Sequence, residues 1–156
     1  VGSEMCIRDR YGNDRGGTPD APAMHYVFEP PYALWPFGSG LSYTAFSYDN
    51  PSVTRSGDEI IASVTVTNTG DRDGKEVVQL YVSDAISTVL TPVRQLKAFE
   101  KIALAPGESR TVSMRVPFDE LRLYNGDGEW VVEPGEFVFS IGRSSADLIH
   151  SESITL

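Results

Sequence analysis

Cysteine is all but missing: Cys6 is the only one in 156 residues. The chain can therefore close no internal disulfide and build no thiolate zinc site, and nothing after position 10 can act as a cysteine nucleophile. Histidine is nearly as scarce. His25 and His150 lie far apart, and neither has a neighbouring His or Cys. Solvated or hydrogen-bonded imidazoles are the default reading there, ahead of a metal site. Basic residues are outnumbered, 13 Lys and Arg against 22 Asp and Glu, for a formal charge of −9. Such a balance argues against nucleic acid or an anionic membrane as partner. No apolar run approaches the ~18–20 residues of a membrane span. Also missing are a Gly-x-Ser-x-Gly elbow, a phosphate-binding glycine loop and a His-Glu-x-x-His helix. Asn50 is followed by Pro51, and no Asn-x-Ser/Thr acceptor occurs elsewhere. There is no internal repeat and no low-complexity stretch.

What remains is the make-up of one ordinary globular domain, at ~100–200 residues per domain. Hydrophobic residues are 40% and charged residues 22%, which fits a packed core and not a disordered chain. Residues 1–10, Val-Gly-Ser-Glu-Met-Cys-Ile-Arg-Asp-Arg, show neither alternation nor a helical stripe. They resemble a translated adapter run from the broken end of an assembled sequence and are set aside. Removing them leaves the charge at −9, because they hold two acidic and two basic residues. Residues 11–40 are rich in Gly and Pro, with Tyr26, Phe28, Tyr32, Trp35 and Phe37 at irregular spacings. Pro19, Pro22, Pro30, Pro31 and Pro36 forbid a continuous helix and discourage a central strand. This segment reads as an extended connector with sticky side chains.

From Leu41 onward the pattern is period two. Ile60, Ala62, Val64 and Val66 alternate with Ile61, Ser63, Thr65 and Thr67, as in a strand with one buried face. After the turn cluster Asn68–Gly74, Val78, Leu80 and Val82 alternate with Val77, Gln79 and Tyr81. The two runs read as a hairpin-like pair. Further runs span Arg94–Leu104, Ser109–Val116, Trp130–Val132, Phe137–Ile141 and Ile149–Thr155, and an opening strand is expected near Tyr43–Tyr48. Turn residues separate them at Ala105–Glu108, Asn125–Gly128 and Glu133–Gly135. Pro117–Tyr124 suits one helical turn, with Leu121 and Tyr124 both facing the core. Trp130 opens an alternating strand and is expected to be core or half-buried. Seven or eight short antiparallel strands predict an all-β sandwich of immunoglobulin or fibronectin type III kind, over residues 41–156.

Candidate chemistry is sparse. Asp71–Gly74 and Asn125–Glu129 have a faint calcium-loop look, but neither has the twelve-residue spacing ending in a bidentate Glu. Turn geometry already accounts for their Asn, Asp and Gly. Glycoside hydrolysis needs two carboxylates ~5–5.5 Å or ~6.5–9.5 Å apart across the bond. The acidic residues here fall in turns or on the polar side of strands, as a solvated face does. The aromatic cluster Tyr26, Phe28, Tyr32, Trp35, Phe37 and Tyr43 is the remaining feature. It suits packing against a neighbouring domain, with sugar stacking as the alternative.

One run carries more. Leu34-Trp-Pro-Phe-Gly-Ser-Gly-Leu-Ser-Tyr-Thr44 closely resembles a signature of glycoside hydrolase family 3, the β-glucosidase and β-xylosidase family. Val64–Gly74, Glu76–Asp84, Pro92–Lys101, Leu104–Glu108 and Trp130–Phe137 are similar to further segments of it, in the same order. Ser39 stands where that family often has Tyr, and Ala98 where Gly is usual. The resemblance implies a C-terminal fibronectin type III-like domain without cofactor, truncated at its N-terminus, with residues 11–40 as the tail of a lost α/β domain. Its partners would be the catalytic domains of the same chain and, as the alternative, an oligo- or polysaccharide bound by a free-standing carbohydrate-binding or adhesion module. Nothing matches the family's nucleophile or acid/base motif, so no catalytic residue is assigned. An extracellular or periplasmic setting is what the family suggests.

Overall fold

Strict alternation builds the first sheet. In β2 (Glu59–Asn68), Ile60, Ala62, Val64, Val66 and Asn68 are buried, and every residue between them is half-buried. β5 (Ser109–Pro117) repeats the pattern with Val112, Met114 and Val116. Side chains two apart share a face, so each strand presents one apolar row. The computed structural model describes residues 35–84, 86–89 and 91–156. The chain divides into two units, 1–36 and 37–156.

Within the second unit the strands form an antiparallel sandwich. The elements are β1 (Phe46–Ser56), β2, β3 (Gly74–Asp84), β4 (Gln95–Leu104), β5, a 3-10 turn (Phe118–Leu121), β6 (Leu123–Tyr124), β7 (Trp130–Val131), β8 (Glu136–Gly142) and β9 (Leu148–Thr155). One sheet has the order β1-β2-β5, the other β4-β3-β8-β9, and β6-β7 form a separate two-stranded ribbon. The core lies between the two sheets. Val64, Val66 and Val112 come from one side, and Val78, Leu80, Phe139 and Ile141 from the other, all almost fully buried.

Four expectations need correction. The runs Ile60–Thr67 and Val77–Val82 are not a hairpin pair: β2 pairs with β1 and β5, β3 with β4 and β8. Two strands with one apolar face each can bury them by stacking across a core as well as by sitting side by side. The turn after Asn68 carries the chain from one sheet to the other. The opening strand starts at Phe46 instead of Tyr43 and runs through Pro51. Proline is tolerated because β1 is an edge strand whose register slips between Asp49 and Ser52, with Asn50 at φ 50°. β1 then returns through Gly57-Asp58, where Gly57 at φ 62° supplies the first central residue of a two-residue hairpin turn.

Tyr124 and Trp130 also depart from expectation, because both lie at the surface. Leu121 is buried as expected, but Tyr124 and Trp130 are 56% and 65% exposed. Leu123 faces Val131 across the short ribbon, and Tyr124 faces Trp130. Half-buried Leu123 and Val131 take the inner face of this ribbon, and period two puts their neighbours outside.

Candidate functional site

β3 is an inner strand of the four-stranded sheet, and two of its outward-facing side chains are buried. Gln79 and Tyr81 alternate with the core row Val78, Leu80 and Val82, yet they are 4% and 1% exposed. A strap formed by residues 37–45 covers them. The Phe37 carbonyl accepts from the Tyr81 hydroxyl at 3.3 Å and from the Ser145 amide at 2.9 Å. The Gly38 carbonyl accepts from Gln79 Nε2 at 3.0 Å, which also donates to the Arg143 carbonyl at 2.6 Å. The Tyr81 hydroxyl is also hydrogen-bonded to Gln79 Oε1. Gly38 sits at φ 80°, and a Cβ there would lie 2.1 Å from Gln79 Oε1. Only glycine brings the backbone this close.

The other end of the strap is tied to the turn after β2. Thr44 Oγ1 donates to Asn68 Oδ1 at 2.7 Å, and the Ala45 carbonyl accepts from the Thr69 amide at 2.8 Å. Asn68, with no exposed surface, also accepts from the Gly70 amide and donates to the carbonyls of Arg72 and Leu104. All four hydrogen-bonding positions of its amide are filled.

Between its anchors the strap turns its large side chains outward. Phe37, Leu41 and Tyr43 are 66%, 92% and 94% exposed. Together with Leu96, Phe99 and Lys101 of β4, the strap borders an open groove of about 780 Å³ whose lining includes Phe37 and Leu41. Glu76 and Arg143 stand in the same lining. Tyr48 donates its hydroxyl to Glu76 Oε1 at 2.8 Å, and the Arg143 guanidinium lies 4.8 Å from the centre of the Tyr48 ring. Arg143 also donates to the Phe46 carbonyl at 3.1 Å and pairs with Asp147 at 3.3 Å. Burial raises the Glu76 carboxyl above its ordinary value, against the opposing pull of the Tyr48 hydrogen bond and Arg143. Burial and then Glu76 push the Tyr48 hydroxyl strongly upward. This cluster joins β1 of one sheet to β3 and the β8–β9 turn of the other.

Phe37 and Tyr43 lie on the strap, and Trp35, 69% exposed, falls in the first unit. Tyr26, Phe28 and Tyr32 lie outside the described residues. Sequence reasoning missed Leu41, Phe99, Gln79, Tyr81 and Asn68. Alternation made Gln79 and Tyr81 look like a solvated row; a large aromatic on that row was the available sign that something covers it. The Asn125–Glu129 loop is a capped turn, with Asn125 Oδ1 accepting from the amides of Asp127 and Glu129. Among the described residues, no three His, Cys, Asp or Glu side chains converge as a metal site requires.

A family model described as a fibronectin type III-like domain matches residues 76–145. The chain is 47% identical over 137 residues to a β-xylosidase of Formosa agariphila, covering 84% of this chain and 19% of that protein. It is 42% identical over 154 residues to a periplasmic β-glucosidase of Salmonella typhimurium, covering 94% of this chain and 20% of that protein. Among solved structures, a β-glucosidase from Listeria innocua in complex with glucose superimposes with a TM-score of 0.81 at 34% identity, covering 92% of this chain and 21% of that one. The chain therefore spans about a fifth of the length of the relatives it matches. The chain belongs to glycoside hydrolase family 3 as a fibronectin type III-like domain of its β-glucosidases and β-xylosidases.

Proposed function

We propose that this domain is the non-catalytic C-terminal scaffold of a β-glycosidase acting on β-glucosides or β-xylosides, and that the strap face is where the other domains of the enzyme seat. One observation carries the reading. The strap spends its backbone carbonyls on Gln79, Tyr81 and Thr69, inward, and presents Phe37, Leu41 and Tyr43 outward beside Phe99. A segment made only to cover a sheet would do the reverse, burying apolar side chains and leaving polar groups in water. An exposed apolar patch beside a groove is what an interdomain contact requires. On this reading residues 11–40 are the connector to the preceding domain, Trp35, Tyr26, Phe28 and Tyr32 pack against that domain, and residues 1–10 take no part.

The test is a chimera in which this chain replaces the corresponding segment of the Formosa agariphila β-xylosidase. The chimera should fold and hydrolyse an aryl β-xyloside. Replacing Leu41, Tyr43 and Phe99 together by Ser should lower the melting temperature of the chimera while leaving that of the isolated chain nearly unchanged. Equal behaviour of substituted and unsubstituted chimeras would refute the docking role.

A further inference from the structure

The second exposed aromatic pair stands apart from the strap and shares no lining residue with its groove. Tyr124 and Trp130 face each other across the β6–β7 ribbon, ring centres 5.4 Å apart and tilted by 59°. Trp130 forms one wall of an open cleft of about 420 Å³ whose other lining residues are Lys97, Asp119, Glu120 and Arg122. That volume lies within the ~300–1,000 Å³ typical of small-ligand sites. We propose that this cleft binds a neutral oligosaccharide, with one sugar ring stacked on the Trp130 indole.

Three features point to that ligand class. First, the cleft is polar but balanced: two cations and two anions line it, and Arg122 is paired with Asp119 while Lys97 donates to the Glu120 carbonyl. A balanced cleft offers no net attraction to a phosphate, a nucleic acid or a polyamine. Second, Trp130 is the one large apolar surface in it. A protein partner would be expected to meet a contiguous apolar patch with a desolvated centre, whereas a sugar ring has one C–H face for the indole and a rim of hydroxyls for the surrounding carboxylates and cations. Third, the platform is held in place. A two-residue ribbon is not stable alone, but Asn125 closes this one with four bonds: its Oδ1 accepts from Asp127 and Glu129, its amide donates to the Glu129 carbonyl, and its carbonyl accepts from Gly128. An aromatic that is already ordered loses little freedom when a ligand arrives.

The experiment is a titration of the isotope-labelled chain with cellohexaose, following the indole N–H resonance of Trp130. The expected result is a saturable shift with a dissociation constant of about 1 mM. Trp130→Ala, followed through the backbone amide resonances of Lys97 and Arg122, should abolish binding, and Lys97→Ala and Asp119→Asn, which leave the indole in place, should each weaken it roughly fivefold. Trp35→Ala should leave it unchanged. No shift of the Trp130 resonance at saturating sugar would overturn the proposal. So would binding that is lost with Trp35 instead, or that ignores both polar substitutions in chains whose amide spectra remain native.

Discussion

Replacing Asn68 by alanine should be among the most damaging polar substitutions in this domain. The side chain has no exposed surface and makes four hydrogen bonds: from Thr44 at 2.7 Å and Gly70 at 3.1 Å, and to the carbonyls of Arg72 at 2.7 Å and Leu104 at 3.0 Å. Each net hydrogen bond contributes ~0.5–1.5 kcal/mol, and a buried group left unpaired costs ~1–3 kcal/mol. The Leu104 contact is buried, while the other three are near enough to the surface for water to replace part of the loss. The sum is about 3 kcal/mol, against a total of ~5–15 kcal/mol for a domain. Urea unfolding should show a lower midpoint with an unchanged slope. Thr44→Val, which removes one of the four bonds, should cost about 1 kcal/mol. Asn68→Asp separates hydrogen bonding from shape. It keeps the acceptor for Thr44 and Gly70 but turns a carboxylate oxygen toward two carbonyls. Its folded pKa must then be raised, so the variant should be least stable at neutral pH and recover as pH falls through the carboxylate range. An alanine variant within about 0.5 kcal/mol of the parent, or an aspartate variant as stable as the parent at neutral pH, would refute this account of the turn.

The strap and the Glu76 cluster yield two further predictions. Gly38→Ala introduces a Cβ 2.1 Å from Gln79 Oε1 at a backbone φ of 80°, so the Phe37–Gly38 anchor should release; limited proteolysis should cut within 37–45 well before the sandwich unfolds, and resistance equal to the parent's would contradict the anchor. Glu76 has a raised carboxyl in the folded state, so the folded chain holds its proton to higher pH than the unfolded one. Its contribution is therefore fully present below the unfolded value and is lost as pH rises through the folded value. Glu76→Gln keeps an acceptor for Tyr48 and should remove that downward slope in stability above the ordinary carboxylate range, as read by melting temperature against pH; an identical slope in both proteins would assign it elsewhere.

Polar residues at two other places also work through geometry. Glu108 and Glu133 are held below the ordinary carboxylate range by hydrogen bonds from Ala105 and from Thr88 respectively. Glu108 thereby closes the Ala105–Glu108 turn on its own backbone, with the Ala105 amide 2.8 Å away. The Pro-Gly-Glu sequence there is thus a turn with its own cap, positioned between β4 of one sheet and β5 of the other. This turn therefore joins two strands that do not pair with each other.

Period two fixed which residues of β2, β5 and β8 face inward, because a strand can bury one row only by alternation. The same rule located the ends of β4 and β9 to within a residue, where turn residues interrupt the rows. Motif order carried the family, and with it the sandwich. The partners of each strand were not in the sequence. β2 and β3 alternate equally well as neighbours or as facing layers, and only the closing of a common core selects the second. Outer faces were still less legible. Gln79 and Tyr81 occupy solvent positions by count and are buried because a segment some forty residues earlier crosses them. Trp130 occupies a strand by pattern and is exposed because Leu123 and Val131 take the inner face of its ribbon. Local alternation records which side of a strand a residue is on. Whether that side meets water, a strap or a second sheet is set by contacts between residues distant in the chain, and these exist only once the chain has folded.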